Sequence, residues 1–248
     1  MARYFINVAY RGTNYAGFQI QKNANSIQAE IEKALKIFFK MDFSLTCSSR
    51  TDAGVHALSN YFHFDSAIIP DQDKLNKIVY NLNSILPRDI VLKSIFSVSG
   101  NQHARFSAQS RMYKYCIYQQ KDPFLEDRAF YYPYYLDLGQ LNAAAALLKN
   151  YNDFTSFSKR NTQVKTFTCN IYASAWVNEN GMLIYNVEGN RFLRGMVRGL
   201  VGTMLRVGAG KISILEFKKI IEIKDCSFVD FSVPAHALFL IDVKYHFE

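Results

Sequence analysis

The alternation of apolar and polar residues at the start of the chain, and its later recurrence, constrains the fold more than any other feature. Tyr4, Ile6, Val8 and Tyr10 alternate with Arg3, Phe5, Asn7 and Ala9, the two-residue period of a strand. "RGTNYAGFQIQ" then reads as a glycine-punctuated loop. Asn25 or Ser26 caps a helix with Ile27, Ile31, Leu35 and Phe38 on one face. A strand near residues 42–47, a loop at "CSSRTDAGVHALSN" and a strand at 60–65 come next. A helix over 71–84 stops before Pro87, and "DIVLKSIFSV" forms a further strand. The order restarts at residue 111, where "RMYKYCIYQQ" alternates Tyr113, Tyr115 and Ile117. A helix at 138–149 follows, then strands around 165–177 and 182–189 joined by the hairpin-type turn "NENG". A long helix is expected from about 191 to 206. Ser213 and Glu216 make a capping box for a helix over 214–224, and "LFLIDVKYHF" is a terminal strand.

Strand, helix, strands, helix, strand is the element order of a split βαβ unit, here used twice. The expected fold is α+β: two similar ferredoxin-like halves, residues 1–108 and 109–248, with a mostly antiparallel sheet. A central cleft, where loops of both halves meet, is the expected ligand site.

Composition narrows the function. Hydrophobic residues make up 49% of the chain and charged residues 20%, enough apolar surface for a full core and too much for a disordered chain. The 29 Lys and Arg against 21 Asp and Glu leave a net charge of +8, which tilts the partner towards a polyanion. Cys47, Cys116, Cys169 and Cys226 form no Cys-x-x-Cys pair, and His56, His63, His103, His236 and His246 have no metal-ligand spacing. No metal site and no disulfide framework are expected. No apolar run approaches the roughly 18 residues of a membrane span, and "MARYFINVAY" is a strand and not a signal sequence. The expectation is a cytoplasmic protein without a membrane partner.

Three groups of residues carry candidate chemistry. Arg50 and Asp52 lie in a loop, and the triplet alone leaves three readings open: turn chemistry, an Arg-paired structural carboxylate, or a nucleophile. A cation beside Asp52 would keep it ionised. Arg191, Arg194 and Arg198 fall on one face of the expected long helix, at its start. The helix dipole disfavours cations there, so a bound anion or a carboxylate partner is one reading and a solvated basic face the other. In "NQHARFSAQSRMYKYCIY", Arg105, Arg111 and Lys114 interleave with Phe106, Tyr113, Tyr115 and Tyr118. That pattern suits phosphate contact with base stacking, and equally an edge strand with its basic side chains outward.

The run "RTDAGVHA" at 50–57 closely resembles the active-site motif of the TruA family of tRNA pseudouridine synthases. "YRGTNYAGFQIQ", which contains Gln19, "LNSILPRDI", "HARFSAQSRMYKY", "DPFLEDRAFYY", "FLRGMVRGLVGTMLRVG" and "VPAHALFLIDVKY" are similar to further family segments in the same order. The resemblance implies the pseudouridine-synthase fold and isomerisation of uridine in the tRNA anticodon stem-loop, at tRNA positions 38, 39 and 40. It also implies a homodimer that needs neither metal nor organic cofactor. By motif it makes Asp52 the catalytic nucleophile, with Arg50 displacing and holding the target nucleotide. Tyr113 stacks on the base, a candidate acid or base, and Arg194 pairs with the carboxylate. Gln19, His56, Arg105, Arg111, Lys114, Arg191 and Arg198 are the expected RNA-binding residues. Ser48-Ser49 stand where the family has glycines, so a positive φ at either would be strained. Phe18 replaces a usual Trp, Arg11 stands where Asp is common, and "CSFVDFSVPAHAL" departs from the family pattern. Two alternatives remain at this level. One is a non-catalytic RNA-binding or chaperone protein on the same scaffold, for which an anion in an RNA groove would have no use. The other is a paralogue acting on a different uridine.

Overall fold

The computed structural model describes residues 1–67, 74–160 and 164–247. It divides into two compact units, residues 1–109 with 239–248, and residues 110–238. The terminal segment, expected with the second half, packs with the first unit.

The first unit is built on β1 (Ala2–Tyr10), whose Phe5, Ile6 and Val8 are fully buried. It lies antiparallel between β3 (His56–Ser66) and β4 (Ile90–Val98), with Ile6 opposite Phe62 on one side and Ile95 on the other. β2 (Thr46–Cys47) pairs antiparallel with β3, which gives the order β4-β1-β3-β2 of a split βαβ unit. The strand expected at 42–47 is thus confined to its last two residues, while β3 begins four residues earlier than expected, at His56. β9 (Leu238–Lys244) adds to the free part of β3 in parallel, Phe239 opposite His56.

Helix α1 (Ile27–Phe39) starts where Ser26 Oγ accepts the Ala29 N–H and buries Ile27, Ile31, Ala34 and Leu35. Helix α2 (Leu75–Ile85) buries Leu75, Ile78 and Leu82. Its C-cap Leu86 is extended because Pro87 follows, which crowds the α conformation of the residue before it. Residues 71–73 of the expected helix lie outside the described residues. The Asn83 amide bonds both the N–H and the C=O of Leu92, each at 2.8 Å, satisfying backbone groups of β4.

The second unit pairs β5 (Ser110–Tyr118) with β8 (Met182–Gly189), and β8 with β7 (Ile171–Glu179), all antiparallel. A short β6 (Phe130–Tyr131) runs parallel to β5. Asn180 and Gly181 join β7 to β8 with φ of 53° and 78°, the two positive values that a type I′ hairpin turn requires. Residues 165–170 are not strand; Thr168 makes only an isolated bridge to Asp153. Trp176 packs on Tyr185, ring centroids 5.1 Å apart, in the core under α3 (Leu138–Leu147). α5 (Ile214–Glu222) carries the expected Ser213–Glu216 capping box.

The expected start of the long helix is overturned as well. α4 spans Met196–Gly208 and does not begin at 191. Gly195, with φ of 74°, is a left-handed N-cap, so Arg191 and Arg194 lie on the approach to the helix and share no helical face with Arg198. The three arginines therefore do not cluster against the helix dipole. Gly199 and Gly202 let residues 229–231 close over α4: a Cβ on Gly199 would lie 2.7 Å from the Phe231 ring, and one on Gly202 would strike the Asp230 carbonyl.

Candidate active site

In the first unit, the Arg-Thr-Asp loop is fastened before it presents anything. Asn60, fully buried on β3, is the hub: its Oδ1 accepts from the Ser48 hydroxyl at 2.7 Å. Its amide nitrogen donates to the Ser49 carbonyl at 3.0 Å and to the Tyr10 hydroxyl at 3.1 Å. Tyr10 and Thr51 share a 2.7 Å hydroxyl–hydroxyl bond, tying the loop to β1. Thr51 O also accepts from Phe18 N–H at 3.1 Å. Neither Ser48 nor Ser49 has a positive φ among the described residues, so the serines are unstrained, and Ser48 contributes a bond that glycine would not.

Asp52, half-buried, opens a turn closed by Val55 N–H donating to its carbonyl at 3.2 Å. Gly54, at φ of 80°, takes the third position of that turn, as a type II turn demands. Gly17, at φ of 101°, lies behind it: a Cβ there would stand 3.0 Å from Thr51 O and 3.3 Å from the Asp52 carbonyl carbon. His56 is 2% exposed, accepts the Gly12 N–H on Nδ1 at 3.0 Å and stacks on Phe239 at 4.6 Å. It braces the loop from beneath. Phe18 is likewise core, 4.9 Å from the Phe62 ring.

The expected Arg50–Asp52 ion pair is not formed among the described residues. The exposed Arg50 instead reaches back to Cys47 on β2, whose thiol burial pushes up and the charges of Arg50 and Arg105 pull down. Gln19 and Arg105 are exposed on the same unit.

The second unit carries the remaining candidates. Tyr113 is buried on β5 and meets Phe192 edge-on at 5.2 Å. Arg194 is exposed, and its carbonyl accepts the Lys159 N–H at 3.0 Å. Arg111 is buried and donates to the Asn190 carbonyl at 2.6 Å; Lys114, half-buried, lies three residues further along β5. Arg191 reaches the Thr166 hydroxyl at 3.3 Å. Arg198 donates to the carbonyls of Val233 at 2.9 Å and Phe231 at 3.3 Å, holding the segment over α4. Arg111 and Arg198 thus have bonds to carbonyls of their own unit. Among the described residues, no group of His, Cys, Asp or Glu is arranged to hold a metal ion, and no helix is long and apolar enough to cross a membrane.

Sequence reasoning passed over Asn60, Tyr10 and Thr51. Their bonds join positions as far as 50 residues apart, and no local pattern marks them.

A split βαβ framework carrying the Arg-Thr-Asp turn is what the resemblance to the pseudouridine-synthase class leads one to expect. A family model described as tRNA pseudouridine synthase matches residues 144–246. The chain is 44% identical over 245 residues to a tRNA pseudouridine synthase A of Azobacteroides pseudotrichonymphae, covering 99% of this chain and 97% of that one. It is 43% identical over 248 residues to the protein of that name from Parabacteroides distasonis, with 99% and 96% covered. A third such relative, from Anoxybacillus flavithermus, is 38% identical over 247 residues, with 99% of each chain covered. The chain belongs to the tRNA pseudouridine synthase A family.

Proposed function

We propose that this tRNA pseudouridine synthase acts on the anticodon stem-loop, at tRNA positions 38, 39 and 40, with Asp52 as nucleophile. The enzyme isomerises uridine to pseudouridine in tRNA. The observation that supports Asp52 as the nucleophile is its half-buried place on a turn fixed by Asn60, Tyr10 and Gly17, while the site choice rests on the family resemblance. A carboxylate held this way keeps its position when a nucleotide arrives, which is what a near-attack geometry needs.

The reaction breaks N1–C1′ of uridine and joins C5 to C1′. In the route we favour, the Asp52 carboxylate attacks C1′ and uracil departs with the N1 electron pair. The base turns, C5 attacks C1′, and the carboxylate leaves. The C5 hydrogen departs as a proton and N1 gains one, so product and substrate are isomers. Attack at uracil C6, or loss of a ribose hydrogen, are rival first steps with the same overall balance.

A base inside a stem or loop must first be extruded, which needs a wedge and a receiving surface. Arg50, exposed beside the Asp52 turn, suits the first task. Tyr113 is assigned to stack on the extruded base and Arg194 to supply positive charge in the same reaction. Gln19, Arg105, Lys114 and Arg191 are assigned to the RNA backbone. The protein works as a homodimer in this reading. Mapping pseudouridine on modified tRNA transcripts tests the site choice: product at 38, 39 and 40 is expected, and product confined to another arm would refute it.

A further inference from the structure

The turn over residues 103–107 in the first unit is fastened more completely than its surface position requires. His103 N–H donates to the Ser107 hydroxyl at 2.9 Å, and Ser107 N–H returns to the His103 carbonyl at 2.9 Å. Ala104 N–H donates to His63 Nδ1 at 3.1 Å, and the Ala104 carbonyl accepts from the Tyr245 hydroxyl. Arg105 N–H and Phe106 N–H both donate to His103 Nδ1, at 3.1 and 3.3 Å. Both imidazoles serve as acceptors, a role open only to the neutral ring. Burial and the charge of Arg3 hold His63 neutral down to about 4, and push His103 in the same direction.

The product of all this fastening is one apolar ring in water. Rings follow one another from the buried Phe5 to His63 at 6.0 Å, His63 to His103 at 4.6 Å, and His103 to Phe106 at 4.4 Å. Phe106 ends the series, 77% exposed. A solitary exposed apolar side chain is ordinary on a protein surface. One carried on a turn fixed by four side chains and backed by a ring series reaching the core is a pre-organised contact, which loses little freedom on binding. Its surroundings are cationic, with the Arg105 guanidinium 5.8 Å from the Phe106 ring, and His63 beneath the turn lies opposite Thr46 on β2, which leads through Cys47 into the Asp52 loop.

We propose that Phe106 is a stacking platform for an unpaired tRNA base near the reacting uridine, with Arg105 engaging the adjoining phosphate. An aromatic face beside a cation, on a rigid turn next to the catalytic loop, matches how single-stranded RNA is gripped: bases stack while the backbone is neutralised. The proposal rests on the tRNA reading above.

Three variants test it by tritium release from C5-labelled tRNA, by melting temperature and by fluorescence. Phe106→Ala is expected to lower kcat/KM by roughly 5- to 150-fold, the range set by removing one base–aromatic stack, mostly through KM. Its melting temperature should not change, because the ring is exposed. Phe106→Trp should restore activity. In an Asp52→Asn background, its indole should be quenched when tRNA is added, against the constant signal of the buried Trp176. Unchanged kcat/KM in Phe106→Ala, or an indole indifferent to tRNA, would overturn the proposal. So would loss of self-association without quenching, which would make the ring a protein contact. Absence of tritium release from wild type would sink the synthase reading instead, while quenching would still report stacking on RNA.

Discussion

Replacing Asn60 by Leu, a side chain of nearly the same shape without polar atoms, should loosen the Asp52 loop without opening a cavity. Asn60 is fully buried and makes bonds of 2.7, 3.0 and 3.1 Å to Ser48, Ser49 and Tyr10. The substitution strands the Ser49 carbonyl and deprives the Ser48 hydroxyl of its acceptor, while Tyr10 keeps Thr51. At about 1–3 kcal/mol for each buried group left unsatisfied, the expected loss is about 3 kcal/mol. For a chain of this length, that lowers the melting temperature by roughly 6 to 12 °C. Ser48→Ala, which removes the 2.7 Å bond to Asn60 and a longer 3.4 Å one from the Tyr61 N–H, should cost about 1–2 kcal/mol, and the double variant less than the sum because the two share the Asn60 bond. Calorimetry gives the stabilities, and single-turnover tritium release gives the chemical step. The rate should fall in Asn60→Leu while tRNA affinity changes little. A melting temperature within about 2 °C of wild type, with normal turnover, would refute the claim that this network holds the loop.

Gly17→Ala should reduce turnover as well as stability, because its φ of 101° is strained for alanine and its Cβ would press on Thr51 and Asp52. Gly181→Ala, at φ of 78° in open space, is the control: about 1–2 kcal/mol of strain with activity intact, read by melting and by kcat/KM. The neutral His63 makes stability depend on pH in a fixed direction. Its folded pKa of about 4 lies below the free value of about 6.5, so the unfolded chain binds the proton first. Its contribution is fully present above about 6.5 and is lost as pH falls towards 4; His63→Asn should flatten that part of a urea stability profile. A His63→Asn profile parallel to wild type would contradict this.

The elements were legible where local chemistry decides them. The alternation of β1, the Ser26 cap, the Asn180-Gly181 turn and the Ser213–Glu216 box each act within a few residues. The misplacement of α4 has a local cause too. Arg191, Arg194 and Arg198 mimic helical spacing, and a left-handed Gly195 interrupts it in a way that residue type alone does not declare. β2 is short because only Thr46 and Cys47 meet β3, a tertiary fact. At the site, the Arg-Thr-Asp motif pointed to Asp52, but the missing Arg50–Asp52 pair and the Asn60 hub depend on residues brought together by the sheet. The same holds for Phe106, an aromatic in a basic run until His63 and His103 are seen beneath it.

The most direct test of the account uses tRNA transcribed with tritium at uridine C5, incubated with wild type and with Asp52→Asn. Joining C5 to C1′ expels that hydrogen, so tritium in water measures the new carbon–carbon bond. Release by wild type, with none from an Asp52→Asn protein that still binds tRNA, is the predicted result. Release from Asp52→Asn at the wild-type rate would contradict the assignment of the carboxylate.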